Sequence, residues 1–176
     1  MCECMDEMYE MAEGRFFGKY RGKVVENRDP TARGRLQVVV PAVMGEEPVW
    51  ALPCVPYAGA GVGFFALPEA GTGVWVEFEA GDPSYPIWTG CFWGDGDIPA
   101  ADAEPTIKFW RTEKLTLRID DSVGELVIEN DSGSVIRLTP TEISSESQQI
   151  NNNAGGKQTA LTAVAFDVAN GAFRVV

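Results

Sequence analysis

The chain has 176 residues, 14 basic and 26 acidic side chains, a formal charge of −12 and no histidine. The missing histidine excludes Ser-His-Asp and Cys-His nucleophilic machinery and any imidazole metal site, and the negative charge runs against generic nucleic-acid binding, which needs Lys and Arg to displace counterions. At 45% apolar residues the chain can build a core, its length suits one domain or a small domain with an extension, and no run of 18 apolar residues is present to span a membrane.

The charge is unevenly placed. Residues 1–14 carry five acids and no base, and residues 15–40 carry seven bases and two acids. Residues 41–105 carry ten acids and neither Lys nor Arg, and the remainder is near balance. A basic strand pairing with acidic ones in a small barrel accounts for this; the alternative is two surfaces facing different partners or copies of the chain. The N-terminal segment 1–15 is acidic, unlike a secretory signal, so cytoplasmic assembly is expected. Met5, Met8, Tyr9 and Ala12 recur at helical spacing. A helix this short is not stable alone, which leaves a frayed tail or a docking peptide whose methionines adapt to a partner groove. Cys2 and Cys4 make a poor metal site without further ligands. Cys54 and Cys91 lie in apolar surroundings and are expected to be buried thiols.

From residue 16 glycine and proline punctuate short runs of Val, Trp, Phe and Tyr, the pattern of an all-β domain. Strands are expected at Phe16–Val25, Leu36–Val40, Trp50–Val55, Thr72–Glu79 and Pro86–Trp93. Asn27-Arg28-Asp29-Pro30 forms the first turn, since proline fixes φ and the Asp carboxylate can bond nearby backbone. Val74, Val76 and Phe78 fall on one strand face, with Trp75, Glu77 and Glu79 on the other. The glycine-rich run at 58–63 lacks the Lys-Ser ending of a phosphate-binding loop, so close backbone packing is its reading. Five short strands in about 80 residues without a long helix suit a five-stranded OB-type barrel over residues 16–95.

An ordered set of residues then carries a resemblance. Asn27, Asp29, Pro30, Gly34 and Arg35 in the first turn are followed by Pro68, Gly71 and Gly73, then by Gly81, Asp82, Pro83, Pro86 and Gly90. This set, in GKVVENRDPTARGRLQVVVP and AGAGVGFFALPEAGTGVWVEFEAGDPSYPIWTGCFW, resembles the OB-fold domain of phage baseplate spikes and of the valine-glycine repeat (VgrG) spike of type VI secretion. Thr72 departs from it, standing where the family often has an acid.

Residues 96–110 read as a Pro/Ala/Asp-rich connector. Beyond it, Leu115, Leu117 and Ile119 alternate with Thr116, Arg118 and Asp120, Leu126 and Ile128 with Val127 and Glu129, and Ile136 and Leu138 with Arg137 and Thr139, with turns at 121–124, 130–134 and 139–141. Ile143 and Ile150 continue the pattern, and Phe166, Val168, Phe173 and Val175 repeat it around the hairpin signal Asn170-Gly171. The polar run 146–156 is open between a loop and a stacked ladder. Two or three apolar side chains per strand are too few to offset ordering the chain, and a lone meander leaves open edges. Either this region is a second β-layer on a monomeric barrel, or residues 111–176 form an intertwined trimeric β-prism, each strand pairing with a neighbouring chain and burying Leu115, Leu117, Ile119, Leu126, Ile128, Ile136, Leu138, Ile143, Phe166 and Val168 on the axis.

The resemblance implies the second arrangement: an all-β homotrimeric spike in a phage tail, type VI secretion or extracellular contractile injection system. Its barrel would dock on a trimeric baseplate hub, and its needle would be driven mechanically through the target membrane by sheath contraction. Met5, Met8, Tyr9, Arg33 and Arg35 are the candidate hub-docking residues. A separate PAAR-like tip protein or cargo is a further implied partner. No catalytic residue, cofactor, metal or nucleic acid is called for. Two other readings use the same residues. A single-stranded nucleic-acid binder would use Arg15, Lys19, Arg21, Lys23, Arg33 and Arg35 with Phe16, Phe17 and Tyr20. A glycosidase would use acid pairs such as Asp95/Asp97 or Glu77/Glu79.

Overall fold

The computed structural model describes residues 13–176. Met5, Met8, Tyr9, Cys2 and Cys4 lie outside the described residues. The chain divides into two compact units, the first ending at Asp97 and the second spanning Ile98–Val176.

The first unit is a closed barrel. Its strands are β1 (Tyr20–Glu26), β2 (Leu36–Val40), β3 (Gly45–Pro53), β6 (Gly73–Phe78) and β7 (Pro86–Phe92), in the order β1-β2-β3-β7-β6 with β6 returning to β1. Every pairing is antiparallel except β3 with β7. Period-two alternation puts Val24, Leu36, Val38, Val40, Ala51, Val74, Val76, Phe78 and Trp88 inside. The register slips at β1/β2, where Val25 is extra, and at β6/β7, where Thr89 is extra. Such bulges increase local twist and help a short sheet to close.

Several boundaries differ from the sequence pattern. β1 begins at Tyr20 because Phe16 has another task. The Phe16 N–H donates to the Gly81 carbonyl (2.8 Å), and its ring meets Tyr20 and Phe78, each at 6.1 Å between centroids. Pro41 both ends β2 and opens a single helical turn, α1 (Pro41–Met44), where its missing N–H costs nothing. The glycine-rich run folds as a two-stranded hairpin, β4 (Ala58–Gly59) and β5 (Val62–Gly63). Cys54 and Cys91 are exposed, not buried. Cys54 has passed the end of β3, and Cys91 lies past the Thr89 bulge near the end of β7, so apolar sequence neighbours did not carry either thiol inside. Partial desolvation still raises the Cys91 thiol above its ordinary pKa. At Gly73 a Cβ would stand 2.6 Å from the Phe92 ring, so only glycine lets that ring lie on the strand.

The second unit holds two antiparallel meanders. The first has the order β12-β11-β10-β9-β8, from β8 (Ile107–Arg111), β9 (Leu115–Asp120), β10 (Glu125–Asn130), β11 (Val135–Leu138) and β12 (Ile143–Glu146). β8 begins within the segment expected as connector and ends one residue past it. The second meander is β13 (Gln149–Ala154), β14 (Lys157–Thr162), β15 (Phe166–Val168) and β16 (Phe173–Val175). The polar run is therefore strand β13 and its turn into β14. Short polar turns explain why neighbouring strands pair within the chain, where the sequence pattern had suggested pairing with another chain. The Asn130 carboxamide oxygen accepts the Ser132 and Ser134 N–H groups (3.1 and 2.9 Å), and the Gly124 N–H reaches the Asp120 carbonyl (2.9 Å). Asn170 and Gly171 both take positive φ, +58° and +89°, turning β15 into β16.

Candidate interaction surfaces

The turn between β1 and β2 is organised around one carboxylate. Asp29 accepts the Thr31 N–H (2.9 Å) and hydroxyl (2.8 Å), and the Arg33 N–H (2.8 Å) and Arg35 N–H (3.2 Å). It also takes two bonds from the Arg35 guanidinium, 3.1 Å from Nε and 2.8 Å from the terminal nitrogen. Its side chain is 2% exposed, and that of Arg35 is 20% exposed. Arg35 lies in turn over the Trp50 ring, 5.0 Å from its centroid. Arg35 beside it, aided by the Thr31 and Arg33 donors, holds the Asp29 carboxyl far below the usual carboxylate range, against the opposing effect of desolvation. Two further motif residues fasten neighbouring chain: the Asn27 amide donates to the Pro68 carbonyl (3.0 Å), and the Asp82 carboxylate accepts the Ser84 N–H (2.9 Å). The Trp88 indole N–H donates across the interior to the Gly34 carbonyl at 3.2 Å. Trp88→Phe should cost about 1–3 kcal/mol by leaving that carbonyl unpaired, checked by chemical denaturation.

Of the basic residues in this region, four are engaged within the unit. Lys19 pairs with Glu77 (2.8 Å), Arg15 with Asp82 (3.8 Å) and Arg35 with Asp29, while Arg21 lies 5.6 Å from the Trp75 centroid and 5.5 Å from that of Phe92. The basic strand thus meets acids of its own barrel. Phe16 and Tyr20 pack on the core, leaving Phe17 as the exposed ring of that trio. Four of the six basic residues named for a nucleic-acid reading are thus engaged within the unit. Of the acid pairs, Glu77 is the partner of Lys19, and Asp97 accepts the Gly94 N–H.

Arg33 differs from Arg35. Its guanidinium has no hydrogen-bond or ion-pair partner among the described residues. It stands beside a groove of about 430 Å³ that Gly34, Pro53, Tyr57, Val62, Phe65, Leu67 and Trp88 help to line.

In the second unit the apolar residues align in rows. Leu117 opposes Ile128 and Ile128 opposes Ile136, while Ile119 opposes Leu126, Leu126 opposes Leu138, and Leu138 opposes Ile143. Opposed residues share a sheet face, so one face carries all eight candidates from Leu115 to Ile143. On the second meander Ile150, Leu161, Phe166 and Val175 form one row, and Val168 opposes Phe173 on the same face. These rows are open in the single chain: Leu115, Ile119, Ile136, Leu138, Ile143, Leu161, Phe166, Phe173 and Val175 are exposed, and among the described residues of this unit the one buried apolar side chain is Val127, on the opposite face.

The sequence pattern did not single out Asp102. Its carboxylate meets Arg111 (2.9 Å) and Arg118 (3.2 Å), tying the chain before β8 to the sheet. Arg111 first, and Arg118 with it, pull its pKa down. The signal was faint, an acid about one strand away from two arginines that alternate with apolar residues.

Residues 20–93 match the family model described as the type VI secretion system/phage-baseplate injector OB domain. That span coincides with the closed barrel, from the first residue of β1 to one residue past β7. No curated protein matches the chain.

Proposed function

We propose, from the barrel's place among the baseplate-injector OB domains of contractile systems, that the chain is a central spike: the barrel seats on a baseplate hub, and the second unit is a needle completed by three copies. The barrel and the family match support a structural baseplate component of a phage-tail-like particle. The observation that carries the needle is the contrast between the units. The barrel has a closed core of nine buried side chains, whereas the second unit aligns its apolar residues on exposed sheet faces and buries Val127 alone. An apolar face of that extent is stable in water only when covered. Three copies related by a threefold axis would cover it with identical faces, placing Leu117, Ile128, Ile136 and their row on the axis.

This reading assigns mechanical work and no chemistry. Sheath contraction would push the needle through the target envelope, and stiffness would come from the backbone ladders of the two meanders, five strands in one and four in the other. A separate PAAR-like tip protein or cargo would be the needle's further partner. Light scattering of the purified chain tests the reading. About three times 19.1 kDa is expected, and a monomer of 19.1 kDa removes the needle.

A further inference from the structure

We infer that the groove beside Arg33 is the barrel's docking site for another baseplate protein, taking a segment that pairs an apolar or aromatic side chain with a neighbouring carboxylate. The inference rests on the spike reading for the partner's source and on the barrel alone for its chemistry.

Three observations meet there. From Pro53 to Pro68 the chain carries no charged residue, in a protein where 23% of residues are charged. Segments at a solvated surface are normally interspersed with charge, and a contiguous apolar stretch left outside marks a contact surface. Within this stretch Tyr57, Val62 and Phe65 are 59%, 55% and 77% exposed although they line one groove. A Cβ built on Gly34, at φ +72°, would lie 3.6 to 3.9 Å from Phe65, Pro53 and Leu67, so these three side chains gather at the glycine on one side of the groove. Aromatic residues and arginine are the types enriched where interfaces hold most of their energy.

The charge decides what the groove accepts. Arg33 is the one charged residue of its lining. Its backbone N–H is held by Asp29, while the Arg35 guanidinium takes that carboxylate's charge. An unneutralised guanidinium at an uncharged apolar groove favours a carboxylate arriving with an apolar anchor. Arg33 and Arg35, equivalent by sequence as docking candidates, therefore part company: Arg35 builds the turn and Arg33 faces outward.

A random dodecapeptide library displayed on phage and panned on the full-length protein tests this. Enriched peptides should place Asp or Glu within about two positions of an aromatic or aliphatic residue. Their affinity should fall at least tenfold on Arg33→Glu and on Phe65→Ser, with Arg33→Lys retaining part of it. Val62→Ser provides a second groove variant should Phe65→Ser fold poorly. A trimeric chain whose peptides ignore both Arg33 and Phe65 overturns the groove and leaves the spike reading standing. A monomeric chain that still binds these peptides through Arg33 supports the groove and overturns the spike. A lower oligomeric mass for the folded groove variants identifies the occupant as a second copy of this chain and overturns the proposal.

Discussion

Ile128→Asp is expected to lower the solution mass from about three times 19.1 kDa to 19.1 kDa. Ile128 sits in the central strand of its meander, opposite Leu117 on one side and Ile136 on the other, in the middle of the apolar rows. In one chain alone the substitution touches a half-buried position and would do little. On a threefold axis it places three carboxylates in an apolar interior, where an unpaired charge is very costly and like charges repel. The difference between these situations is the strength of the test. Glu129→Lys provides the control, because Glu129 opposes Thr116 and Val135 on the other face and reverses a charge without entering the proposed axis. The Trp88 environment should be unchanged in both variants, since Trp88 lies in the other unit and hydrogen-bonds to Gly34. Retention of the trimeric mass by Ile128→Asp would remove this face from the interface.

The barrel was legible because its signals are local and agree with one another. Val74, Val76 and Phe78 alternate with Trp75 and Glu77, and the structure turns the first set inward. Leu36–Val40 stands at its expected bounds because glycine precedes it and proline follows. What failed to show were features set by distant chain. Phe16 looks like strand by composition, yet the Gly81 carbonyl and the Phe78 ring draw it out of β1. Cys91 belongs to a run of apolar residues, yet the Thr89 bulge precedes it and leaves it outside. In the second unit, turn chemistry at Asn130 and the alternation of Leu117 with Arg118 located the strands, but not which residue would be covered. Val127 lies on the face opposite Leu126 and Ile128, among polar neighbours, and is the residue that is buried.

The interaction surfaces were legible in type more than in place. Basic residues between 15 and 35 stand out in an acidic chain, but sequence spacing does not separate those with partners from those without. Arg35 is spent on Asp29 and Trp50, Lys19 on Glu77, and Arg21 on two rings. Arg33 has none of these among the described residues, although only Gly34, at φ +72°, stands between the two arginines. The groove itself was hidden inside a run read as a packed glycine loop. Its composition of Tyr, Val and Phe among glycines was visible, whereas its exposure was not.

The second large effect is expected from Asp29→Asn. The carboxylate collects donors from Thr31, Arg33 and Arg35, so the amide both weakens the turn and leaves the Arg35 guanidinium without its counter-charge. The melting temperature at pH 7 should fall further than on removing an exposed pair such as Lys114–Asp131, where each partner is solvated and little is lost. The pH dependence separates the charge from the packing. Arg35 first, and the other donors with it, depress the folded-state pKa of Asp29 below its unfolded value. A depressed carboxylate contributes stability that is complete above the unfolded pKa of about 4 and is lost as pH falls towards the folded value. Asp82, Asp102 and Asp120 are shifted the same way, by Ser84, Arg111 and Ser122 first respectively, so the wild-type chain should lose stability steadily below about pH 4. Asp29→Asn removes one of these contributions, so the gap in melting temperature between wild type and variant should be widest near neutrality and narrow as the solution is acidified. A gap that stays constant from pH 7 to about pH 2 would mean that the shape of the turn, and not the ion pair with Arg35, holds the first two strands together.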